Sequence, residues 1–285
     1  MFNEEATPAA MPNGTRMSTT IHPPQELEPY LRPTWFIDSD HPAIVDFARQ
    51  AVGDERDETA RALRLFYAVR DGIRYTAYGI RLARASFRAS DTLTSGRGWC
   101  VTKSCLLAAA ARANGIPCRL GYATVRNHLA TRKLREMMGT DLFYYHGYNE
   151  LYLGGRWIKA TVAFNASLCQ KAGLKPLDWD GATDSLYHPF DVAGNRHMEY
   201  VDDYGPVADV PYDAIIGKFR EVYPLDGMFE GLKSESATAP EGDFEAEIEA
   251  EAAPARRRRG SRRPSSPAAP CRRRTASGTC GRSGR

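Results

Sequence analysis

The stretch that decides the fold starts with Gly96-Arg97-Gly98-Trp99-Cys100 and continues into an apolar, alanine-rich run over residues 101–114. A glycine-flanked loop thus brings one cysteine to the start of a predicted helix, which Gly115 ends. A helix start carries unpaired backbone N–H groups and about half a positive charge. The sequence therefore predicts a thiol whose pKa lies below the free value of about 8.5, which favours a nucleophile.

A histidine lies in a second segment downstream, Tyr144-Tyr145-His146-Gly147-Tyr148. Residues 142–153 are predicted to form a strand, Gly154-Gly155 a tight turn, and residues 156–164 the returning strand. A cysteine at a helix start, followed by a histidine on a later strand, is typical of a thiol nucleophile with its base.

The two-residue turn also predicts the register of this hairpin. It pairs Leu153 with Arg156, and the same register places Ala163 opposite His146. Thr161 and Asn165 are then the diagonal neighbours of His146 on the same face of the sheet. Either side chain is a candidate for orienting the imidazole.

The order of elements along the chain predicts the fold class. One helix is predicted to start near Pro42 and a second to cover about residues 57–72, both before the cysteine helix, and strands follow it. An insertion over residues 127–141 carries a short helix and is expected to border the cleft. Helices first and an antiparallel sheet afterwards indicate an α+β fold rather than repeating βαβ units.

Charge divides the chain into segments. Residues 234–285 hold eleven arginines and seven acids, a net charge of +4, which leaves −1 on residues 1–233 of a chain whose total is +3. Residues 1–24 are expected to be a disordered extension, residues 25–233 the domain, and residues 234–285 a disordered tail, acidic and then arginine-rich. Only that tail favours nucleic-acid binding.

Composition excludes several classes of protein. No apolar run approaches the ~18 residues that a membrane helix needs, and the acidic N-terminus does not resemble a signal peptide. The cysteines outside the tail match no zinc spacing, so neither a metal nor a cofactor is predicted. Free thiols in a reducing cytoplasm are the simplest interpretation.

Four motifs between about residues 60 and 165 together resemble the transglutaminase-like superfamily: Gly98-Trp99-Cys100, Gly115-Ile116-Pro117-Cys118-Arg119, His146-Gly147-Tyr148-Asn149-Glu150 and Gly155-Arg156-Trp157-Ile158. The resemblance implies a papain-like core in which the cysteine helix packs on an antiparallel sheet. It also implies a Cys-His-Asp triad that transfers acyl groups from amides. By motif, Cys100 takes the place of the nucleophile and His146 that of the base.

The third position departs from the family pattern. An acid usually follows the hairpin tryptophan by four residues, and Thr161 stands there in this chain. Asn165 is the alternative, since asparagine serves in papain-like enzymes. An acid from elsewhere, such as Asp180 or Asp184, also remains open. Trp99 is a candidate substrate-binding residue beside the nucleophile.

Three functions follow from these features. The leading hypothesis is a cytoplasmic thiol enzyme, a peptidase, an amidase or a transglutaminase-like acyltransferase, that acts on a protein or peptide substrate. The alternative is a non-catalytic transglutaminase-like binding domain that lacks the acid. The third is nucleic-acid binding through the arginine-rich tail. The sequence does not decide the oligomeric state.

Overall fold

The structure is a computed structural model that describes residues 25–128, 130–186, 190–224 and 242–260, with side chains up to residue 252 in the last range. The expectations for residues 1–24 and 261–285 lie outside the described residues. So do the side chains of the arginines from residue 256 onward, and nucleic-acid binding by them therefore stays a prediction.

The described chain contains α-helices, β-strands and two short 3-10 helices, Gln25–Tyr30 and Arg84–Phe87. The described α-helices are α1 (Pro42–Val52), α2 (Glu58–Gly72), α3 (Ala89–Ser95), α4 (Cys100–Ala113), α5 (Arg132–Met138), α6 (Ala166–Ala172), α7 (Tyr212–Val222) and α8 (Phe244–Gly260). The strands are β1 (Arg74–Tyr75), β2 (Arg97–Gly98), β3 (Cys118–Asn127), β4 (Leu142–Leu153), β5 (Arg156–Ala160) and β6 (Met198–Val207).

Four strands form an antiparallel sheet in the order β5-β4-β3-β6. The predicted hairpin register is confirmed from Leu153 opposite Arg156 to Asn149 opposite Ala160. The ladder then stops, because β5 ends at Ala160, which also forms a parallel bridge to Ser185. The predicted pairing of His146 with Ala163 is therefore wrong, since the returning strand is too short to reach it.

Helix α4 packs on this sheet and is buried along nearly its whole length. Its second half is a row of alanines, residues 108–111, which lets the helix lie close to β3 and β4 and to α1 and α2 on its other side. The predicted arrangement of a cysteine helix on an antiparallel sheet is thus confirmed, and the fold is α+β.

Two buried cations fix the position of α4. Lys103 donates to the carbonyl oxygens of Arg70 at 2.9 Å and Ile73 at 2.6 Å, which satisfies the open end of α2. Arg112, near the other end of α4, donates to the carbonyl of Cys118 at 2.9 Å. Both ends of α4 are therefore tied to neighbouring elements, and its first residue cannot shift freely.

Helix α8 differs from what the sequence predicts for residues 234–285. Its first turns pack against the domain instead of lacking contacts: Phe244 and Glu245 are buried, and Ile248 packs on the core. The physical reason is that two apolar residues four apart form one narrow face. The acids between them find cationic and hydroxyl partners, so little apolar surface is needed to hold the helix.

None of the helices in the described residues combines the length and apolar character that crossing a bilayer requires.

Candidate functional site

The loop before α4 fixes Cys100 at the first position of the helix. Strand β2 in this loop pairs in parallel with β1. The backbone N–H of Trp99 donates to the Thr102 hydroxyl at 3.2 Å, which caps the helix start. Position 98 must be glycine, because a Cβ there would lie 2.6 Å from the same hydroxyl. The predicted loop-cysteine-helix arrangement is therefore present.

A bulge in β4 sets the direction of His146. Ala123 of β3 pairs with His146 and Val125 with Phe143, so β4 holds one extra residue between these pairs. Tyr145 in this bulge has φ +56°, the left-handed conformation that side chains other than glycine seldom adopt. Its ring stacks on that of Tyr204, with centroids 4.6 Å apart. Bulges of this kind re-aim the neighbouring side chain, here the histidine.

The helix start and the bulged strand meet at the cysteine. The backbone N–H groups of Gly147 and Val101 lie close enough to the Cys100 sulfur to favour its thiolate and so to lower the pKa of the thiol. A Cβ on Gly147 would lie 3.1 Å from the Cys100 carbonyl oxygen and from the Val101 Cα, so any larger residue would crowd the backbone of α4. Cys100 and His146 are 7% and 6% exposed and line the same cavity of about 60 Å³.

The wall of this cavity is mainly aromatic and aliphatic, and it draws on elements far apart in the chain. Trp99 lines it beside Cys100 and packs on Phe219, with ring centroids 5.9 Å apart. Leu134 and Met138 of α5 line it as well, which confirms that the insertion borders the cleft. Phe244 of α8 completes the cover.

Burial dominates the protonation of the cysteine and the histidine. It raises the pKa of Cys100 to about 11, although the N–H groups of Gly147 and Val101 act in the opposite direction. Burial also lowers the pKa of His146 to about 4, with a further contribution from the neighbouring His197. Near neutral pH both groups are therefore uncharged.

The prediction of a lowered thiol pKa is thus wrong. The N–H groups and the partial positive charge at the helix start favour the thiolate. Desolvation of the buried thiol disfavours it, and this larger contribution raises the pKa. Burial raises the pKa of Cys118 and Cys169 to about 12, and that of Cys105 well above its usual value.

Residues 45–162 match the family model of the Transglutaminase-like superfamily. This segment is a transglutaminase-like domain. It runs from α1 to the residue after Thr161 and contains both Cys100 and His146, so the resemblance seen in the sequence motifs is confirmed. At the level of the family, the match supports a thiol-dependent enzyme.

Other comparisons find distant similarity only. A solved structure described as a "Putative Cysteine Protease" from Cytophaga hutchinsonii shares 18% identity over 66% of this chain and 56% of its own, with a TM-score of 0.40. A "Putative Protease" from Parabacteroides distasonis shares 15% over 47% of this chain and 25% of its own, with a TM-score of 0.31. This chain thus spans about half the length of the first of these proteins and a quarter of the second. A comparison with curated proteins gives no match.

The candidates for the third position differ in how their side chains are used. Thr161 is 1% exposed, and its hydroxyl has no hydrogen-bond partner among the described residues. The amide of Asn165 is fully occupied: it accepts from the Tyr75 N–H at 2.9 Å and donates to Ser167 and Glu245. Asn165 therefore joins β1 to α8 in this structure.

Asp180 and Asp184, the other candidates for the third position, accept hydrogen bonds from backbone N–H groups outside the cavity. Asp180 accepts from the backbone N–H groups of Ala182 and Thr183, and Asp184 accepts from the N–H of Lys159 at 2.8 Å. In the part of the chain that the structure describes, no carboxylate lines the cavity of the transglutaminase-like domain, and no cluster of three metal-ligating side chains occurs.

Two residues near His146 escape prediction from the sequence. His197 is buried just before β6, and the ring of Tyr200 lies edge-on to the His146 ring, with centroids 6.4 Å apart. Both arrive through the pairing of β6 with β3, whose residues are about 80 positions apart in the chain. A local pattern gives no signal for such a contact; only the order of strands in the sheet reveals it.

Proposed function

We propose that the transglutaminase-like domain is a thiol-dependent enzyme that acts on amide bonds of a protein or peptide substrate. It either hydrolyses the bond or transfers its acyl group to an amine. Cys100 is the nucleophile and His146 the base. The observation that carries this proposal is the close approach of α4 and β4: Gly147, next to His146, lies against the backbone of Cys100, and the side chains of Cys100 and His146 line one buried cavity.

The neutral resting pair fits general-base catalysis. The imidazole of His146, uncharged near neutral pH, accepts the thiol proton while the sulfur attacks the carbonyl carbon. The carbonyl electron pair moves onto oxygen, and N–H groups at the start of α4 stabilise that oxyanion. His146 then returns the proton to the leaving nitrogen as the C–N bond breaks, and a thioester remains on Cys100.

The second half of the reaction depends on the acceptor. Water or an amine attacks the thioester carbon, His146 takes the proton of the attacking group, and the cysteine sulfur leaves and is reprotonated. Water gives hydrolysis and an amine gives transfer. Trp99 lies beside the sulfur and limits the access of water, as a substrate-binding wall would.

Thr161 is the proposed orienting residue. A carboxylate paired with the imidazole would raise its pKa, and the value of about 4 fits a site without one. The unused, buried hydroxyl of Thr161 is suited to a neutral imidazole, whereas the Asn165 amide is occupied elsewhere. Asn165 remains the rival in the test below.

The test uses the full chain with casein as substrate, in the absence and presence of dansylcadaverine, and mass spectrometry for a thioester at Cys100. Cys100→Ser and His146→Asn are expected to abolish turnover. Thr161→Val keeps the shape and removes the hydroxyl, so it should slow turnover by about ten-fold, less than the loss of a charged triad member. Cys169→Ala, a buried cysteine away from the cavity, is the matched control and should retain activity.

A non-catalytic binding domain is the second candidate, favoured by the missing carboxylate and by the burial of Cys100. It predicts substrate binding without a thioester and the same affinity for Cys100→Ser as for the native chain. Turnover that survives Cys100→Ser would refute both the thiol enzyme and the non-catalytic binding domain. Slower turnover in Asn165→Ala but not in Thr161→Val would move the orienting role to Asn165.

A further inference from the structure

The start of α8 covers the cavity that holds Cys100. Phe244 is 5% exposed and lines this cavity. Its ring lies 5.3 Å from that of Tyr78, edge-on, and 5.7 Å from that of Tyr75. An aromatic side chain from outside the family match, which ends at residue 162, thus occupies the space beside the nucleophile.

The first acid after this phenylalanine is buried among polar partners. The Glu245 carboxylate accepts from the Asn165 amide at 2.9 Å, from the Ser167 hydroxyl at 3.2 Å and from the Lys171 ammonium at 3.1 Å. These three residues lie at or in α6. One carboxylate of α8 is therefore received by a site that supplies an amide, a hydroxyl and a cation.

The acid two positions later has a second such site. Glu247 accepts from the Tyr78 hydroxyl at 2.5 Å and from the Lys133 ammonium at 2.9 Å. One turn further, Glu251 accepts from the backbone N–H of Arg132 at 3.1 Å, at the start of α5. The acids of α8 thus bind along α5 as well as α6.

We call the surface formed by Tyr75, Tyr78, Lys133, Asn165 and Lys171 the α8 groove. It has an aromatic pocket that opens beside Cys100 and a rim of cations and hydrogen-bond donors. Its charge is opposite to that of residues 243–251, which hold five acids and no base. The complementarity identifies the chemistry of an occupant: an acidic segment with an aromatic side chain.

We propose that the α8 groove is the substrate-binding groove and that residues 243–251 occupy it in cis. The proposal rests on the proposed function. A protein substrate would place an aromatic side chain in the pocket and acidic residues on the rim, close to Cys100. The chain's own segment closes the groove until such a substrate displaces it.

The way in which α8 is held fits a displaceable segment. Its described contacts with the domain are the apolar side chains of Phe244 and Ile248 together with carboxylate pairs. The pair of Lys133 and Glu247 is partly exposed, and such ion pairs are individually weak and are screened by salt. A competing acidic segment with its own aromatic residue could make the same contacts: its aromatic ring would take the place of Phe244, and its carboxylates would pair with the same cations.

The first experiment measures access to Cys100 in the full chain. A triple variant, Phe244→Ala with Glu245→Gln and Glu247→Gln, is compared with the native chain by iodoacetamide labelling at one fixed pH and peptide mapping. Labelling of Cys100 should be faster by about ten-fold or more, because the loss of a buried phenylalanine removes the cover. Glu249→Gln is the matched control: it neutralises an acid of the same helix whose side chain is 62% exposed, and should leave the rate unchanged.

The second experiment measures binding in trans. A fluorescein-labelled peptide with the sequence of residues 242–252 should bind the triple variant with a Kd about ten-fold or more below that for the native chain, whose groove is filled. A peptide with alanine at the phenylalanine position should lose this binding. Adding Lys133→Glu and Lys171→Glu to the triple variant should abolish it.

The outcomes separate this proposal from the proposed function. Faster labelling with tight peptide binding supports the groove even if no thioester or turnover is ever found, in which case the proposed function alone fails. Unchanged labelling in the triple variant overturns the occupation in cis, whatever the activity. Faster labelling without peptide binding overturns the proposed preference for an acidic, aromatic substrate. In that case α8 only covers the cavity that holds Cys100.

Discussion

The cavity around Cys100 has two walls that are built in different ways. The inner wall consists of the start of α4 and of β4, whose backbones approach so closely that a Cβ on Gly147 would lie 3.1 Å from the Cys100 carbonyl oxygen and from the Val101 Cα. The outer wall consists of α5 and the start of α8, joined by side chains such as Lys133 and Glu247. One wall fixes the proposed reacting groups, and the other covers the cavity that they line.

This difference separates rigidity from access. Buried backbone contacts open only with large parts of the fold, whereas segments held by exposed side chains open at low free energy. Enzymes that gate access commonly place reacting groups on the first kind of structure and covers on the second. Changes in the inner wall should therefore cost stability, while changes at the partly exposed ion pair of the outer wall should alter access with little loss of stability.

The largest effect is expected where the inner wall is closest. Gly147→Val places new atoms against the Cys100 carbonyl and the Val101 Cα, which a Cβ alone would meet at 3.1 Å. We expect the free energy of unfolding to fall by about 3 kcal/mol, since overpacking against backbone has no easy relief. Urea denaturation measures it.

The control for this change is Gly217→Ala in α7, where a Cβ meets nothing within 4 Å. Because alanine is the better helix former, this variant should be stabilised by about 0.5 to 1 kcal/mol. A native-like stability of Gly147→Val would show that the contact of α4 with β4 is not as tight as the structure has it.

The next effect is a pH dependence from His146. Its pKa is about 4 in the folded chain and about 6.5 in the unfolded chain, so the unfolded chain binds more protons between these values. The free energy of unfolding should therefore fall by about 2 kcal/mol from pH 7 to pH 5 on account of this residue. Denaturation midpoints at several pH values measure the slope.

His146→Asn should flatten that slope. Phe244→Ala tests which of the two walls sets the pKa of His146. If the outer wall keeps water from the imidazole, its removal brings the pKa of His146 back toward 6.5 and reduces the slope. An unchanged slope in Phe244→Ala would mean that burial by the inner wall alone sets this pKa.

A smaller effect is expected at the bulge. At Tyr145, with φ +56°, glycine should be more stable than alanine by about 1 kcal/mol, because alanine keeps the strain and glycine removes it. The comparison of Tyr145→Gly with Tyr145→Ala cancels the loss of the tyrosine ring. At Tyr144, whose φ is negative, the order should reverse. The same order at both positions would show that the bulge is not strained.

The two walls also differ in how far the sequence predicts them. The loop before Cys100, the extent of α4 and the register from Leu153 to Asn149 follow from glycines, a helix stop and a two-residue turn, all of which are local signals. The family motifs lie in the same segments. The sequence therefore places Cys100 and His146 on the correct elements and predicts that they meet.

The remainder depends on contacts between distant parts of the chain. The bulge has a tyrosine where glycine or asparagine would signal a left-handed residue, so Tyr145 gives no warning. His197 reaches His146 only because β6 adds to β3. The thiol pKa was predicted from the helix start alone, and burial by residues such as Phe244, more than 140 positions later, reverses its direction.

The smallest effect concerns the ion pair between the two parts of the outer wall. Lys133 and Glu247 are 2.9 Å apart, with side chains 41% and 31% exposed. A double-mutant cycle with Lys133→Met and Glu247→Gln should give a coupling free energy of about 0.5 to 1 kcal/mol in low salt, and less in high salt. The charge swap Lys133→Glu with Glu247→Lys should restore native labelling of Cys100, whereas each single reversal should accelerate it. If the single reversals leave labelling unchanged, this pair does not hold the cover, and Phe244 with Glu245 must hold it alone.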